Sequence, residues 1–401
     1  MTAPHDRILN RISDAELERR WAAVRAQMRS RSIDAIIMQN ASDWVGGYVR
    51  WFTDHPANNG YPRTVIFHER EPMTVVEMGP FDVVRELGGR DTLHRGVGQV
   101  LCSPSFVSVA PSHHYDADLV VKDLKRRGYK TIGLLAPGML PHALVSRLEA
   151  GLDGSASFLD VSNWVDTIKA VKSAEEIALI RRCATMQDQV FARVLEVINP
   201  GLRDIDVTAA AQAEGQRLGS EQGIFLGASA KVGARSPFAP RLMHGRTLQK
   251  GDHLSLLIEI NGYGGFYTEI ARTIMLGKAS VELKDGFAAV KAAQDYTLSL
   301  IKPGACPADI HAAHNAYMQE HGLPPEMRLY AHGQGYDMVE RPLIRQDEPM
   351  PLAENMNLAV HPAYETASMF AVICDNYLVT GTGVSPCLHQ TAKQVFEIGV
   401  G

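Results

Sequence analysis

LSLLIEINGYGGFYTEIART, residues 254–273, reads as two apolar strands joined by a glycine turn. Side chains alternate along a strand, so Glu259 and Asn261 fall on the same face of the first strand. The second strand carries Glu269, just ahead of Ala271-Arg272-Thr273. Taken alone, Glu259 has a plain reading as a solvent-facing side chain. Its neighbours along the chain argue for more.

Four other segments between residues 241 and 380 carry polar groups in apolar or glycine-rich settings. Arg241-Leu-Met-His244-Gly245 stands just before Lys250-Gly251-Asp252. Ala331-His332-Gly333-Gln334-Gly335-Tyr336 sets a histidine among glycines, where the backbone of a ligand could approach closely. Leu358-Ala-Val-His361-Pro362 ends an apolar strand on a histidine. Val372-Ile-Cys374-Asp375-Asn376-Tyr-Leu-Val-Thr380 reads as one apolar strand with polar residues inside it. Each has a dull explanation by itself: His361 as a hydrogen-bonded structural residue, Cys374 as a small buried hydrophobe, Asp375 as a turn cap. Together they form a set suited to metal ligation or to acid–base work.

A weak repeat organises this half of the chain. Leu195-Glu-Val-Ile-Asn-Pro200-Gly201 precedes Asp204-Ile205 and an alanine-rich helix ending at Leu218-Gly219. About 103 residues later, Leu298-Ser-Leu-Ile-Lys-Pro303-Gly304 precedes Asp309-Ile310 and a helix ending at His321-Gly322. Each unit is helix, Pro-Gly turn, helix, then strands, the pattern of a duplicated element related by a pseudo-twofold axis. Such an axis brings residues distant in sequence together. The start of the half is marked by Ser173 and Glu176, a capping box, with a helix running to about Val197 before Pro200 stops it.

The N-terminal part alternates helices and strands. Ala15 to Arg29 is amphipathic, with Leu17, Trp21, Val24 and Met28 on one face. Residues 35–38, 64–67, 73–76 and 131–135 read as strands, and Asp116 to Arg127 as a helix. The expected class is therefore α/β (α+β), with an N-terminal domain over residues 1–160 and a C-terminal domain over 161–401.

Composition sets the bounds. The 401 residues carry a net charge of −5 with both signs interspersed, so neither nucleic acid nor an anionic surface is an expected partner. No stretch of 18 uninterrupted apolar residues occurs, and residues 1–10 lack the apolar core of a signal peptide. The five cysteines are scattered without a CxxC pair, which points to a reducing compartment, the cytoplasm by default. A small-molecule substrate is the expectation that remains.

The ordered set of Lys172-Ser-Ala-Glu-Glu-Ile177, the Pro-Gly turn, Met243-His-Gly245, Lys250-Gly-Asp252, the hairpin ending in Ala-Arg-Thr, HGQG, and NLAVHP followed by NYLVT resembles the creatinase/aminopeptidase P/methionine aminopeptidase family. The resemblance covers roughly residues 160–395. It implies the pita-bread fold, preceded by the extra domain of creatinase and prolidase members. The metallopeptidases of that family hold two metal ions with two Asp, one His and two Glu. By the resemblance, the second Asp position holds Glu269, the metal-binding His is His332, the first Glu position holds His361, and the last falls at Cys374 beside Asp375. The first Asp position lands on Ile258 or, with a turn one residue shorter, on Glu259. A second substrate-binding His falls at Val339.

A site with imidazole and thiol in place of carboxylates is poor in the anionic charge that two dications need. The hairpin also reads like that of creatinase, which works without metal. The expectation is therefore a creatinase-like hydrolase or lyase of a small polar metabolite, cleaving a C–N bond without metal. His244, Glu269, His332 and His361 are its catalytic candidates, and Arg63, Glu259, Tyr267, Cys374 and Asp375 its substrate-binding candidates. The alternative is a metal-dependent Xaa-Pro dipeptidase or aminopeptidase with an unusual ligand set. No cofactor is expected, the alternative being a single Zn or Mn. Glu269, His332, His361 and Cys374 could hold a single Zn²⁺, which accepts mixed N, O and S ligands. The resemblance further implies a homodimer in which the N-terminal domain of one subunit covers the active site of the other. Arg50 or Arg63 would then meet a substrate carboxylate, unless either simply pairs with a nearby acid.

Overall fold

The computed structural model describes residues 8–40, 47–57, 60–105 and 112–399, so most of the N-terminal stretch read for a signal peptide lies outside the described residues. The chain divides into two compact units, Met1–Lys169 and Ala170–Gly401. Among the described residues no helix is long and apolar enough to cross a membrane.

The first unit runs α1 (Asp14–Ser30), β1 (Ala35–Asn40), α2 (Gly47–Thr53), β2 (Arg63–His68), β3 (Met73–Met78), β4 (Val84–Glu86), β5 (Val97–Ser103), α3 (Tyr115–Arg127), β6 (Thr131–Leu134), α4 (His142–Leu152), β7 (Ser157–Asp160) and α5 (Ser162–Ala170). Its seven strands form one sheet in the order β4-β5-β3-β2-β1-β6-β7. Ile37, Ile66, Val76 and Ile132 of that sheet pack under Val120 and Leu124 of α3 and Leu144 and Leu148 of α4. The alternation of helix and strand in the sequence thus becomes a sheet whose apolar face is covered by helices. In α1, Ser13 caps Glu16 N, and Leu17, Val24 and Met28 are buried while Trp21 donates its indole N–H to Phe52 O.

The second unit runs α6 (Ala174–Val197), α7 (Asp204–Arg217), β8 (Gly223–Lys231), β9 (Asp252–Asn261), β10 (Tyr267–Leu276), α8 (Val281–Leu300), α9 (Pro307–Glu320), β11 (Ala331–Gly333), β12 (Glu340–Leu343), β13 (Asn357–Val360), β14 (Ala363–Glu365), β15 (Phe370–Val372), β16 (Asp375–Leu378) and β17 (Phe396–Ile398). Two helices followed by strands thus occur twice, as the Pro-Gly repeat implies. The strands form two four-stranded sheets, β17-β10-β9-β8 and β12-β11-β13-β16, with β14 and β15 as a separate pair. Ser173 closes the capping box of α6: its hydroxyl accepts Glu176 N–H while the Glu176 carboxylate accepts Ser173 N–H. Met186, Val190, Phe191 and Val194 of α6 bury themselves on Leu254, Leu256, Ile258 and Ile260 of β9 and Ile270 and Ile274 of β10. A second core, with Ile301, Ile310, Tyr330, Leu358 and Val360, backs the other sheet.

The two sheets are stitched together at β10. Tyr267 N–H donates to Gly335 O at 2.7 Å, and Ala271 and Cys374 exchange backbone hydrogen bonds of 3.2 and 3.3 Å. That bridge explains a departure from the sequence expectation of one strand over Val372 to Thr380. Beyond the end of β15 at Val372, Cys374 bonds across to Ala271 of β10, and the chain resumes as β16 in the second sheet. The junction is locked by Arg272, fully buried, which places Nη2 2.7 Å from Asp375 Oδ1. Its remaining N–H groups donate to the carbonyls of Ala271, Cys374, Thr391 and Ala392. A buried guanidinium persists only with such complete pairing.

Candidate active site

The hairpin sets the first half of the site. In the β9–β10 register Glu259 lies directly opposite Glu269, and Ile258 opposite Ile270. Cross-strand partners project from the same face of a sheet. The face bearing Ile258 and Ile270 packs into the core under α6, so the opposite face carries the two carboxyls. This places Glu259, not Ile258, at the first carboxylate position. The turn is tight because Gly264 and Gly265 adopt φ of 66° and 82°, conformations that favour glycine. Glu259 and Glu269 are both almost fully buried.

The other half comes from the second sheet. His332 sits mid-strand in β11, and His361 follows the last residue of β13, its N–H donating to Tyr330 O at 2.6 Å. The two imidazoles meet edge to face with centroids 5.1 Å apart. His332 donates Nδ1–H to Gly333 O at 2.8 Å, which leaves the Nε2 lone pair 3.7 Å from Glu269 Oε2. Donor atoms of Glu269, His332 and His361 all lie within 4.8 Å of one another. The glycines beside His332 serve the chain itself: a Cβ on Gly333 would lie 2.5 Å from Arg341 O, and one on Gly335 2.6 Å from the Glu340 carboxylate.

A buried amide network supports these groups. Asn376 Oδ1 accepts Glu269 N–H at 2.7 Å, and its Nδ2 donates to Gln334 Oε1 at 2.8 Å. Gln334 Nε2 then donates to Glu259 Oε1 at 2.7 Å, while Asn357 Nδ2 holds Gln334 O at 3.0 Å. Cys374 Sγ faces Glu269 O at 3.7 Å rather than joining the three-residue cluster.

Burial dominates the electrostatics. It pushes Glu269 up to about 7, and together with the neighbouring Glu269 it pushes Glu259 well above the carboxylate range. Burial pulls His332 down to about 4 and His361 well below its usual value, and it raises the Cys374 thiol. Acids that resist ionising beside imidazoles that resist protonation form a site short of positive charge. Two histidines and one carboxylate are a ligand set of catalytic zinc centres that keep a fourth position open. The residues therefore fit one cation. They do not fit two: His361 offers a single lone pair where a bridging carboxylate is needed, and Glu259 is engaged by Gln334.

The remaining candidates are not among the three donors of this cluster. His244 is buried, with Nε2–H on Ala239 O at 2.8 Å and Nδ1 without a partner among the described residues. Tyr267 is fully buried at the head of β10. Asp375 is held by Arg272, with His389 Nδ1 at 3.6 Å and Lys393 Nζ at 3.8 Å. Asp375, Cys387 and His389 bring donor atoms within 4.8 Å of one another, but the two cations already there answer the carboxylate. Arg63, in the first unit, pairs with Glu77 at 2.8 Å. Val339 is half exposed and carries no charge. Gln334, Asn357 and Asn376, which the sequence did not single out as site residues, are the ones that tie the carboxyls together.

The family profile of metallopeptidase family M24 matches residues 178–381, just over half of the chain, and the chain belongs to that family. It is a hydrolase of the peptidase type with the pita-bread fold. The Xaa-Pro dipeptidase of Pyrococcus furiosus is 23% identical over 269 residues, covering 66% of this chain and 75% of that protein. In structure, the X-Pro aminopeptidase of Thermotoga maritima superposes with a TM-score of 0.78 at 17% identity, over 94% of this chain and 99% of the other. The Xaa-Pro dipeptidase of Bacillus anthracis gives 0.74 at 18% identity, over 95% and 100%. These relatives overturn the creatinase-like hydrolysis of a small metabolite expected from the hairpin motif. They favour the peptidase alternative instead. The motif misled because a strand pattern such as Leu254-Ser-Leu256 reports packing in the hairpin and not the reaction.

Proposed function

We propose that the chain is a metal-dependent dipeptidase of the Xaa-Pro type, working on one cation held by Glu269, His332 and His361. The observation that carries this reading is the convergence of those three donors from two sheets to within 4.8 Å. A cation there would polarise the scissile carbonyl and ease ionisation of water. The charge of a cation on Glu269 would favour the ionised form of neighbouring Glu259. With Oε1 of Glu259 bound by Gln334, its Oε2 would then be the oxygen to take the proton of the attacking water and pass it on. The buried Nδ1 lone pair of His244 makes that residue a second group able to carry a proton. Burial of the carboxyls keeps bulk water from competing for them.

Five cysteines, none of them in a disulfide among the described residues, suit a reducing cytoplasm. The likeness to prolidase-type enzymes supports a homodimer, which light scattering during gel filtration would check. The reaction itself is tested by following release of proline from Xaa-Pro dipeptides before chelation, after chelation and after adding back Zn²⁺ or Mn²⁺. Activity should vanish with the metal and return with it. Turnover indifferent to a chelator, in protein shown to be metal-free, would overturn the reading.

A further inference from the structure

We propose that Gln334 withholds Glu259 from metal coordination, so that the centre closes on one ion and keeps Glu259 as a proton-transfer group. This rests on the one-cation reading above and adds what makes the number one.

The chain of hydrogen bonds fixes the orientation of the amides from a backbone anchor. Glu269 N–H can only donate, so the Asn376 atom facing it at 2.7 Å is the oxygen. Asn376 Nδ2 therefore faces Gln334 at 2.8 Å and meets its oxygen. Gln334 Nε2 is then committed to Glu259 Oε1 at 2.7 Å and to Met338 O at 3.1 Å. Flipping Gln334 would set its oxygen against two acceptors and its amide against another donor. The backbone of Gln334 is pinned as well, its N–H on Asn357 O and its C=O under Asn357 Nδ2, both at 3.0 Å. Gln334 is wholly buried and has no room to swing away.

Glu259 and Glu269 are cross-strand partners, the geometry from which a carboxylate pair could clasp ions jointly. Only Glu269 joins His332 and His361 in the cluster of donors within 4.8 Å. The difference between the two acids is their environment: Glu269 Oε2 faces an imidazole lone pair, and Glu259 Oε1 faces an amide N–H. Gln334 is thus a positioning residue that acts through Glu259.

The test is a double-mutant cycle on zinc affinity, measured by competition with a chromophoric chelator in wild type, Glu259→Gln, Gln334→Met and the double variant. Wild type and Glu259→Gln should each bind one zinc, with Kd values within about threefold, because Glu259 is not a ligand. Gln334→Met, similar in volume and without a donor, should bind zinc about tenfold tighter or take up a second ion, and Glu259→Gln should abolish that gain. A tenfold or greater loss in Glu259→Gln alone would overturn the proposal, and so would an unchanged Kd in a folded Gln334→Met. If Gln334→Met fails to fold, a tenfold or greater loss of affinity in Glu259→Gln alone would still overturn the proposal. Wild type that binds no zinc or manganese would instead sink the one-cation reading beneath it.

Discussion

At the scale of single residues, the site works by setting two chemically equal acids in unequal surroundings. Glu269 shares space with His332 at 3.7 Å, whereas Glu259 is bound by Gln334 at 2.7 Å. Glu259→Gln should therefore lower kcat by about 10²- to 10⁴-fold, the usual share of a general base, while metal content by mass spectrometry stays constant. A loss of metal together with activity would show that Glu259 is a ligand. Arg272 gives a contrasting case, a buried charge whose work is structural. Arg272→Met leaves Asp375 buried without its main partner and should destabilise the fold by about 3–5 kcal/mol in denaturant titration. Glu269, His332 and His361, which the fold brings together, were legible in the sequence because strand alternation and flanking glycines make charged groups stand out. Glu259 is separated from Ile258 only by the β9–β10 register. Gln334 and Asn376 were not legible, because an uncharged amide looks like any polar residue. Their partners are 75 and 107 residues away, a pairing that no local pattern contains.

At the scale of elements, local chemistry wrote most of the helices into the sequence. Ser173 and Glu176 announce the start of α6, and Ser173→Ala should cost about 1 kcal/mol in thermal or chemical unfolding. The junction of α8 and α9 carries a pH dependence of its own. His314 in α9 bonds through Nδ1 to Thr297 of α8 at 2.9 Å and stacks on Tyr330 with centroids 3.9 Å apart. Burial lowers its pKa to about 4. Between pH 6.5 and about 4 the unfolded chain takes up a proton that the folded one refuses. Its contribution to stability is thus present above pH 6.5 and lost as the pH falls through that window. His314→Phe keeps the stack and removes the titration, so unfolding midpoints measured at pH 7.5, 5.5 and 4.5 should fall less steeply in the variant. Equal slopes for the two proteins would remove His314 from the account of acid sensitivity. The strand expected over Val372 to Thr380 was misread at this scale because apolar runs cannot reveal a change of sheet. Cys374 breaks it by pairing with Ala271, an interaction specified only by tertiary packing.

At the scale of the whole molecule, the repeated helix–Pro-Gly–helix pattern corresponds to a second unit in which β10 of one sheet meets β16 of the other. The meeting of the sheets brings the hairpin's Glu269 and the strand-borne histidines into one cluster from positions as far apart as Glu269 and His361. The reaction was harder to read, because the fold hosts several chemistries and the motif nearest the hairpin pointed to the wrong one. Ligand chemistry decides more directly: two histidines and one carboxylate suit one cation, and the second carboxyl is occupied elsewhere. The most direct test is a crystal of the zinc-loaded protein with anomalous data collected on both sides of the zinc edge. One peak bonded by Glu269, His332 and His361, with Glu259 still on Gln334, is the predicted result. Two peaks bridged by Glu259 and Glu269, or none among these side chains, would contradict it.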